Sequence, residues 1–390
     1  MDKPTKLWAN HTEAVFYITL ILFVIGTVNV FSASFVLAGQ LLHDSYFFLK
    51  RHMMFFLIGF VAMLIIGRMN YHILRKFVVP IGLAAIGLLV AVHFGGAEAN
   101  GARRWLDLAG IKFQPSEIAK LAVVIITANY LGPRLDRNRK IDLFSAPLWF
   151  SFITFGFVLK QPDMGTAMII IGLCLLIYLI AGLPRHQIAL LVCGGTAAVV
   201  MLSLVASYRA DRIYAWLNPW AYQDSIGYQT VQSLMAIGSG GLWGTGLGMG
   251  TSKFYYLPEA HTDFAFAVLC QEMGFIGAGI VLVLLALLGI YGAKIAAVAS
   301  DGFGKLLAIG AIGIVVGQGV INIAMVSGLL PVVGVPLPFI SFGGTSLVVN
   351  FCAIGLLISV SRRATVKKRK EDNQPPPAPK KLRLVTPSNS

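Results

Sequence analysis

The sequence predicts an all-α, polytopic integral membrane protein: one bundle of about ten transmembrane helices with one long extracytoplasmic loop. Hydrophobic residues make up 57% of the 390 residues, charged residues make up only 12%, and the mean hydropathy is +0.77. In a soluble domain about 25% of the residues are charged. The apolar residues also fall into blocks of roughly 17–25, which is the length that crosses a bilayer core. Composition and block length together exclude an ordinary soluble protein.

The first apolar block follows a short polar N-terminus, residues 1–13, and is long enough to be a retained helix rather than a cleaved signal peptide. The predicted helices are 14–37, 53–67, 77–95, 115–131, 144–161, 164–182, 188–206, 264–292, 304–327 and 345–361. Residues 14–361 therefore form one membrane domain. Residues 362–390 are basic and then proline-rich, so we expect a disordered tail.

The orientation follows from the basic residues, because Lys and Arg concentrate in cytoplasmic segments. With the N-terminus inside, the inner segments hold 21 of the 31 Lys and Arg residues and the outer segments hold 8. Both termini are then cytoplasmic, and the loop at 207–263 is extracytoplasmic. This distribution also explains the net charge of +14 without nucleic acid as a partner.

Ionisable residues within or beside the hydrocarbon are costly and therefore mark candidate functional positions. In the segment GARRWLDLAGIKFQPSEIAKLA, residues 101–122, Glu117 and Lys120 are three positions apart and share one helix face. Arg103 and Arg104 add positive charge beside them. The pair is either part of a functional site or an ion pair that only stabilises packing.

Two further segments carry polar groups between apolar blocks. In KQPDMGTA, residues 160–167, Lys160 and Asp163 either contribute to a site or pair across a tight turn. The segment GLLPVVGVPLPFISFGGTS, residues 328–346, is too rich in proline and glycine to be helical. Irregular backbone at membrane depth is tolerated where it lines protein or a wet cavity, so we expect a re-entrant cleft wall. Gln318 and Asn322 precede it, and we expect them to bond across the bundle.

The long loop carries basic and aromatic residues and ends in acidic ones. Arg209 and Arg212 are about one helical turn apart, and guanidinium groups bind phosphate in a bidentate manner. The Tyr and Trp residues beside them either cover a substrate or form an interfacial aromatic belt. Glu259, His261 and Asp263 stand just before a long apolar helix. A carboxylate there is either a helix cap or a fixed base.

These segments together resemble the SEDS family (shape, elongation, division and sporulation), which includes FtsW, RodA and SpoVE. The matching pieces, in family order over about residues 14–363, are GARRWLDL with FQPSEIAK, QPDMGTA, NPW with GYQ and QSLMAIGSGGLWGTGLG, LPEAHTDF, and LPVVGVPLPFISFGGTS. Most of them are more similar to FtsW, whereas MVSGLLPVVGVPLP is more similar to RodA. Two positions depart from the family pattern: Gln271 replaces the first acid of a pair with Glu272, and Phe342 replaces a tyrosine.

The resemblance implies a peptidoglycan glycosyltransferase of a bacterial inner membrane. Such an enzyme polymerises lipid II at the outer face and releases undecaprenyl diphosphate, here in cell division. Asp263 would be the essential aspartate, with Glu117 and Lys120 as further catalytic residues. A carboxylate can accept the proton of the attacking sugar hydroxyl, while cations stabilise the leaving diphosphate. The candidate substrate-binding residues are Arg103, Arg104, Trp105, Lys160, Asp163, Arg209, Arg212, Glu259, His261 and Ser341.

The sequence indicates no dedicated metal site, and assistance by a divalent cation (Mg²⁺ or Mn²⁺) stays open. The implied partners are lipid II, nascent glycan, a class B penicillin-binding protein with transpeptidase activity, and other division proteins. We expect the mobile 207–263 loop to be held in place either by its own contacts or by such a partner. The alternatives are a RodA-like elongation polymerase, a lipid II flippase, and a scaffold for another enzyme. A flippase predicts a continuous polar path to the inner face, whereas these polar motifs crowd toward the outer side.

Overall fold

The protein is a helical bundle, and its computed structural model describes residues 10–99, 102–108, 110–205, 207–254 and 256–372. The α-helices are α1 His11–Leu42, α2 Phe47–Arg68, α3 Val78–Gly95, α4 Pro115–Asp136, α5 Ala146–Lys160, α6 Met164–Ala181, α7 Arg185–Val205, α8 Ser207–Leu217, α9 Tyr228–Ser239, α10 Ala265–Ala297, α11 Gly302–Ile312, α12 Gln318–Val326 and α13 Gly344–Asp372. Short 3₁₀ helices cover Tyr71–Phe77 and Pro219–Tyr222, and one π turn, Gly313–Gly317, joins α11 to α12.

Eight helical segments of the described residues are long and apolar enough to cross a membrane. They are His11–Leu42, Phe47–Arg68, Tyr71–Gly95, Pro115–Asp136, Met164–Ala181, Ala265–Ala297, Gly302–Val326 and Gly344–Thr365. Each corresponds to one predicted span. The other two predicted spans are also helical, but α5 has only 15 residues and the side chains of the second half of α7 lie outside the described residues. The α-helical membrane bundle is confirmed, while the count of ten stays a prediction.

A small antiparallel sheet in the order β1-β2-β3 departs from the all-α prediction. Its strands are Ala97–Ala99, Ala102–Leu108 and Ile111–Phe113. The turn between β2 and β3 is closed by Asp107, whose Oδ1 accepts a hydrogen bond of 2.7 Å from the backbone of Gly110. Gly110 has φ +84°, which glycine adopts at little cost. Three short strands gave too little alternation in the sequence to be recognised.

The last helix extends further than predicted. We expected α13 to end at residue 361 and a disordered tail to follow, yet α13 continues to Asp372. The added residues are mostly Arg and Lys, which are good helix formers and suit the negative end of the helix dipole. Residues 373–390, the remainder of the predicted tail, lie outside the described residues.

Hydrogen bonds between connecting segments gather them at two ends of the bundle. At one end, which we term the site end, Phe342 N donates to His261 O over 2.9 Å and Gln114 N donates to Thr345 Oγ1 over 3.0 Å. At the opposite end, Tyr71 OH donates to Asp301 Oδ1 over 2.7 Å. Between them the long helices pack in pairs, α2 along α13, α4 along α11 and α1 along α10.

The 207–263 segment is structured and is held by its own chain. Arg212 Nη1 donates to Val332 O over 2.7 Å, and Trp216 Nε1 donates to Gly328 O over 3.0 Å. Both acceptors belong to the non-helical segment before α13. Of the two expected means of holding this segment, contacts within the chain are present in its described part, because α8 is fixed to the neighbouring connection.

Candidate active site

A cavity of about 570 Å³ opens at the site end, between β2, the start of α4, the α5–α6 turn, α8 and the segments before α10 and α13. Seven of the predicted site residues line it: Arg104, Trp105, Glu117, Asp163, Arg212, Glu259 and Asp263. They come from five separate stretches of the sequence. The fold thus brings together most of the motifs in which charges were expected to be functional.

Asp263 lies at the cavity wall, two residues before the start of α10. Its backbone carbonyl accepts a hydrogen bond of 2.8 Å from Asn322 Nδ2, which confirms the expected bonding role of Asn322. Burial raises the pKa of Asp263 to about 7, with further contributions from Glu259 and Asp163, while Arg104 and Arg212 oppose them. A carboxyl group with this pKa exchanges its proton near neutral pH, as a general base requires.

Asp163 occupies the turn between α5 and α6 and caps α6. Its Oδ1 accepts from Thr166 N over 3.1 Å, and its Oδ2 accepts from Gln114 Nε2 over 3.1 Å. Burial raises the pKa of this carboxyl as well. Lys160 is exposed and does not pair with Asp163 across the turn, in contrast to one of our two interpretations.

Arg104 fixes the same turn from the sheet. Its Nε donates to Gln161 O over 3.0 Å, and its Nη2 donates to Pro162 O. Two of its donors are therefore engaged by backbone carbonyls, and the rest of the guanidinium group faces the cavity. Arg104 thus supports the position of Asp163 and also brings positive charge to the site.

Glu117 and Lys120 form the predicted ion pair, with 2.9 Å between Oε2 and Nζ and only 3% and 1% of their side chains exposed. Lys120 Nζ also donates to Gln318 Oε1 over 2.5 Å, and Gln318 Nε2 donates to Pro336 O over 2.8 Å. Glu117 lines the cavity, whereas Lys120 lies behind it. Through these bonds the pair connects α4 to α12 and to the non-helical segment before α13. It also places the Glu117 carboxylate at the cavity.

His261 and Ser341 lie behind the cavity wall. The His261 ring packs against Phe48, with 4.4 Å between centroids, and burial lowers the pKa of the imidazole while Glu259 opposes this. Ser341 Oγ accepts from Leu337 N over 2.9 Å and closes a turn. Phe342, at the position where the family has tyrosine, lines the cavity with an apolar ring. These contacts describe packing of the wall rather than an approach to substrate.

Two predicted phosphate ligands have weaker structural support. Arg103 is exposed on β2 and is not among the cavity-lining residues. The side chain of Arg209 lies outside the described residues. Arg212 is the basic residue of α8 that lines the cavity.

Sequence reasoning missed five polar residues that line the cavity: Gln114, Thr166, Gln229, Thr262 and Ser346. All five stand inside the segments that the sequence analysis recognised. Neutral polar side chains are common on any surface, so only their position inside these motifs could have identified them.

Among the described residues, no group of three or more His, Cys, Asp or Glu side chains is arranged to hold a metal ion. A divalent cation that takes part here would be bound, as Mg²⁺ commonly is, by one or two carboxylates, water molecules and phosphate oxygens of the substrate.

Comparisons with known proteins agree with this architecture. A family model named FTSW_RODA_SPOVE and described as cell cycle protein matches residues 12–366. A "Probable peptidoglycan glycosyltransferase FtsW" of Geobacter sp. (strain M18) is 39% identical over 353 residues, which are 90% of this chain and 96% of that protein. "Stage V sporulation protein E" of Bacillus subtilis (strain 168) is 40% identical over 351 residues, 88% of this chain and 95% of that protein.

A solved structure has the same fold. It comes from work on the structural coordination of polymerization and crosslinking by a peptidoglycan synthase complex. That chain superposes with a TM-score of 0.75 at 26% identity, over 92% of this chain and 99% of its own length. The range matched by the family model, residues 12–366, includes every residue that lines the cavity.

Proposed function

The chain belongs to the FtsW, RodA and SpoVE family and is a bacterial multi-pass membrane peptidoglycan glycosyltransferase, and we propose that it polymerises lipid II into glycan strands during cell division. The reaction takes place at the outer face of the inner membrane, where residues 207–263 lie, with both termini in the cytoplasm. The observation that carries the proposal is the cavity at the site end, in which the Asp263 carboxyl with its raised pKa faces a wall that carries Arg104 and Arg212.

In this proposal Asp263 is the general base. It accepts the proton of the acceptor's 4-hydroxyl as that oxygen attacks the anomeric carbon of the donor, and the bond to the diphosphate breaks. The leaving undecaprenyl diphosphate gains negative charge. Arg104 and Arg212 are placed to stabilise it, because both guanidinium groups line the same cavity. A divalent cation, if one takes part, would enter as a counterion of the diphosphate.

The Glu117–Lys120 pair has a different role in this scheme. Lys120 pairs with Glu117 at the cavity wall, and the Glu117 carboxylate is placed to accept hydrogen bonds from the sugars or the peptide of the substrate. Trp105 and Phe342 offer apolar faces beside these polar groups. The cavity thus combines a base, cations and flat apolar surfaces, as transfer of a lipid-linked sugar requires.

We further propose a class B penicillin-binding protein and other division proteins as partners. The support is the relationship to a chain of a peptidoglycan synthase complex. An FtsW-like role in division is favoured over a RodA-like role in elongation by the names of the relatives in Geobacter.

The experiment that tests the function is polymerisation of purified lipid II by purified protein. Wild-type protein should form polymer, with a rate that rises with pH through about 7, because only deprotonated Asp263 can accept the proton. Asp263→Asn keeps the size of the side chain but removes the base, so it should abolish polymer formation.

The Asp263→Asn protein should still fold and insert, as shown by its elution as a single species in detergent. A folded variant with near-normal product would remove Asp263 from the mechanism. Wild-type protein that moves lipid II across vesicle membranes without forming polymer would instead support a flippase.

A further inference from the structure

We propose that Lys253 and Glu272, which lie outside the cavity, are positioning residues that hold Asp263 in place by joining the chain on both sides of it. The inference rests on the proposed function, and it assigns a role to a buried charge cluster that the mechanism does not use. We term this cluster, Lys253 with Glu272 and Ser32, the latch.

The latch is a buried and fully bonded ion pair. Lys253 Nζ lies 2.8 Å from Glu272 Oε1, with 4% and 1% of the side chains exposed. The same ammonium group donates to Ser32 Oγ over 2.9 Å and to Gly248 O over 2.7 Å. Glu272 Oε2 accepts from Gly248 N over 3.1 Å. A buried pair with this many partners has one defined geometry, because breaking any contact leaves a charge without solvation.

The position of the latch along the chain suits it to fix Asp263. Lys253 stands ten residues before Asp263, and Glu272 stands nine residues after it. The ion pair therefore closes a loop with the proposed base near its middle. Closing a loop removes conformations that its residues would otherwise sample.

Helix α10 shows why such a closure is needed. The helix is broken at Gly274, where φ is +64° and ψ is −166°, so Asp263 precedes only a short first half that ends at Met273. The connection between α9 and α10 supplies hydrogen-bond donors to the carbonyl groups at the break. Thr245 N donates to Gln271 O over 2.9 Å, and Gly246 N donates to Glu272 O over 3.1 Å. A short half-helix is poorly stable alone and depends on such outside contacts.

Helix α1 holds the half-helix at both of its ends. Asn29 Nδ2 donates to Ala265 O over 2.9 Å at the first turn, and Ser32 Oγ lies 2.7 Å from Glu272 at the last. Lys253 joins the segment before Asp263 to the same place. Without the latch, Asp263 would keep its downstream attachment through Asn29. The segment before it would be held by fewer contacts, those of Ser252 with Gln271 and of His261 with Phe342.

Gln271 completes this arrangement and accounts for its departure from the family pattern. Its Oε1 accepts from Ser252 N over 3.0 Å, while its Nε2 donates to Ser239 Oγ over 2.9 Å. A carboxylate could not donate that second bond. It would also place another negative charge beside Glu272, where Lys253 is the cation in contact. An amide therefore suits this position.

The test removes the latch without leaving a buried charge. The double variant Lys253→Met/Glu272→Gln is neutral at both positions and keeps the acceptor for Gly248 N. With lipid II as substrate, we expect kcat to fall about tenfold while KM changes little, because misplacement of a reacting group affects the chemical step.

The pH profile distinguishes positioning from general weakening of the fold. The charged groups that face Asp263 are Glu259, Asp163, Arg104 and Arg212. If Asp263 moves away from the two carboxylates and toward solvent, the midpoint of its pH profile should fall by about one unit toward the ordinary value of a carboxyl group. A merely less stable enzyme would lose rate without moving that midpoint.

The matched control is Asp44→Asn/Lys50→Met, which neutralises a more exposed ion pair of nearly the same length, 2.9 Å against 2.8 Å in the latch. It should behave as wild type. A folded latch variant with wild-type kcat and pH profile would overturn the inference. Wild-type protein that forms no polymer would contradict the proposed function instead.

If the double variant does not fold, Glu272→Asp decides in its place. It keeps both charges and shortens the acid by one methylene group. We expect a fall of about threefold in kcat with a shifted pH midpoint, and unchanged kinetics would again overturn the inference.

Discussion

Two buried ion pairs at the site end are nearly identical in length and burial but differ in what surrounds them. Glu117–Lys120 measures 2.9 Å and Lys253–Glu272 measures 2.8 Å, and all four side chains are at most 4% exposed. In the first pair the carboxylate lines the cavity and Glu117 Oε2 has no hydrogen-bond partner besides its contact with the lysine. In the second, both charged groups are enclosed by Ser32 and Gly248. The first pair presents a charge, whereas the second connects segments.

This difference shows that burial of an ion pair does not by itself reveal its purpose. A pair that only stabilises the fold could be replaced by apolar groups at little cost. A pair that keeps one partner at a cavity wall cannot be replaced in this way without changing the site. The position of the carboxylate separates the two cases here, because Glu117 lines the cavity whereas Glu272 is enclosed by the chain.

The largest expected effect comes from breaking the first pair on one side. Lys120→Met leaves the Glu117 charge buried without its cation, which should cost about 3–5 kcal/mol of stability and abolish polymerisation. Thermal unfolding in detergent measures the first loss, and the lipid II assay measures the second. The control is Lys50→Met, which removes an exposed lysine.

The double variant Glu117→Gln/Lys120→Met sharpens the comparison with the latch. Stability should return toward wild type because no charge is left buried, but activity should stay at least a hundredfold down, a loss in transition-state stabilisation of about 3 kcal/mol. The latch double variant should lose only about tenfold, or about 1.4 kcal/mol. Recovery of activity in the first double variant would show that Glu117 and Lys120 only neutralise each other.

The two ion pairs also differ in whether the sequence alone could predict them. Glu117 and Lys120 are three positions apart on one helix, so local periodicity predicts their contact. Lys253 and Glu272 are separated by a turn-rich segment, Asp263 and the first half of α10, and no local rule brings them together. The sheet was missed for a different reason, because its strands are too short to show alternation. The long apolar spans were predictable because each is decided by its own composition.

A smaller effect on stability and rate is expected at Gly334, where the non-helical segment before α13 contacts Asp263. Gly334 has φ +68°, and a Cβ at this position would lie 3.3 Å from Asp263 Oδ2. Gly334→Ala should cost about 1–2 kcal/mol through backbone strain and should also displace the carboxylate, so kcat should fall several-fold. The readouts are thermal unfolding and polymerisation rate.

Gly328→Ala is a matched control for the wall. Its φ of +75° imposes similar strain, but a Cβ there would meet only the Leu234 side chain, at 3.6 Å or more. Both variants should lose a similar free energy of unfolding. Only Gly334→Ala should also lose polymerisation rate. Equal losses of rate would mean that the wall acts through folding rather than through contact with Asp263.

The smallest effect concerns a charge that belongs to neither ion pair. Glu259 contributes to the raised pKa of Asp263, but it is exposed at the cavity mouth and its Oε2 already accepts from Thr262 Oγ1 over 2.7 Å. Glu259→Gln keeps that acceptor and removes the charge. The pKa of Asp263 should then fall, by roughly half a unit or less because water and salt screen an exposed charge. Since the deprotonated form is the active one, the rate at pH 6.5 relative to pH 8 should rise. Asp224→Asn, which removes an exposed charge outside the cavity, should leave that ratio unchanged, and an equal rise in both variants would mean that overall charge rather than Glu259 sets the pKa.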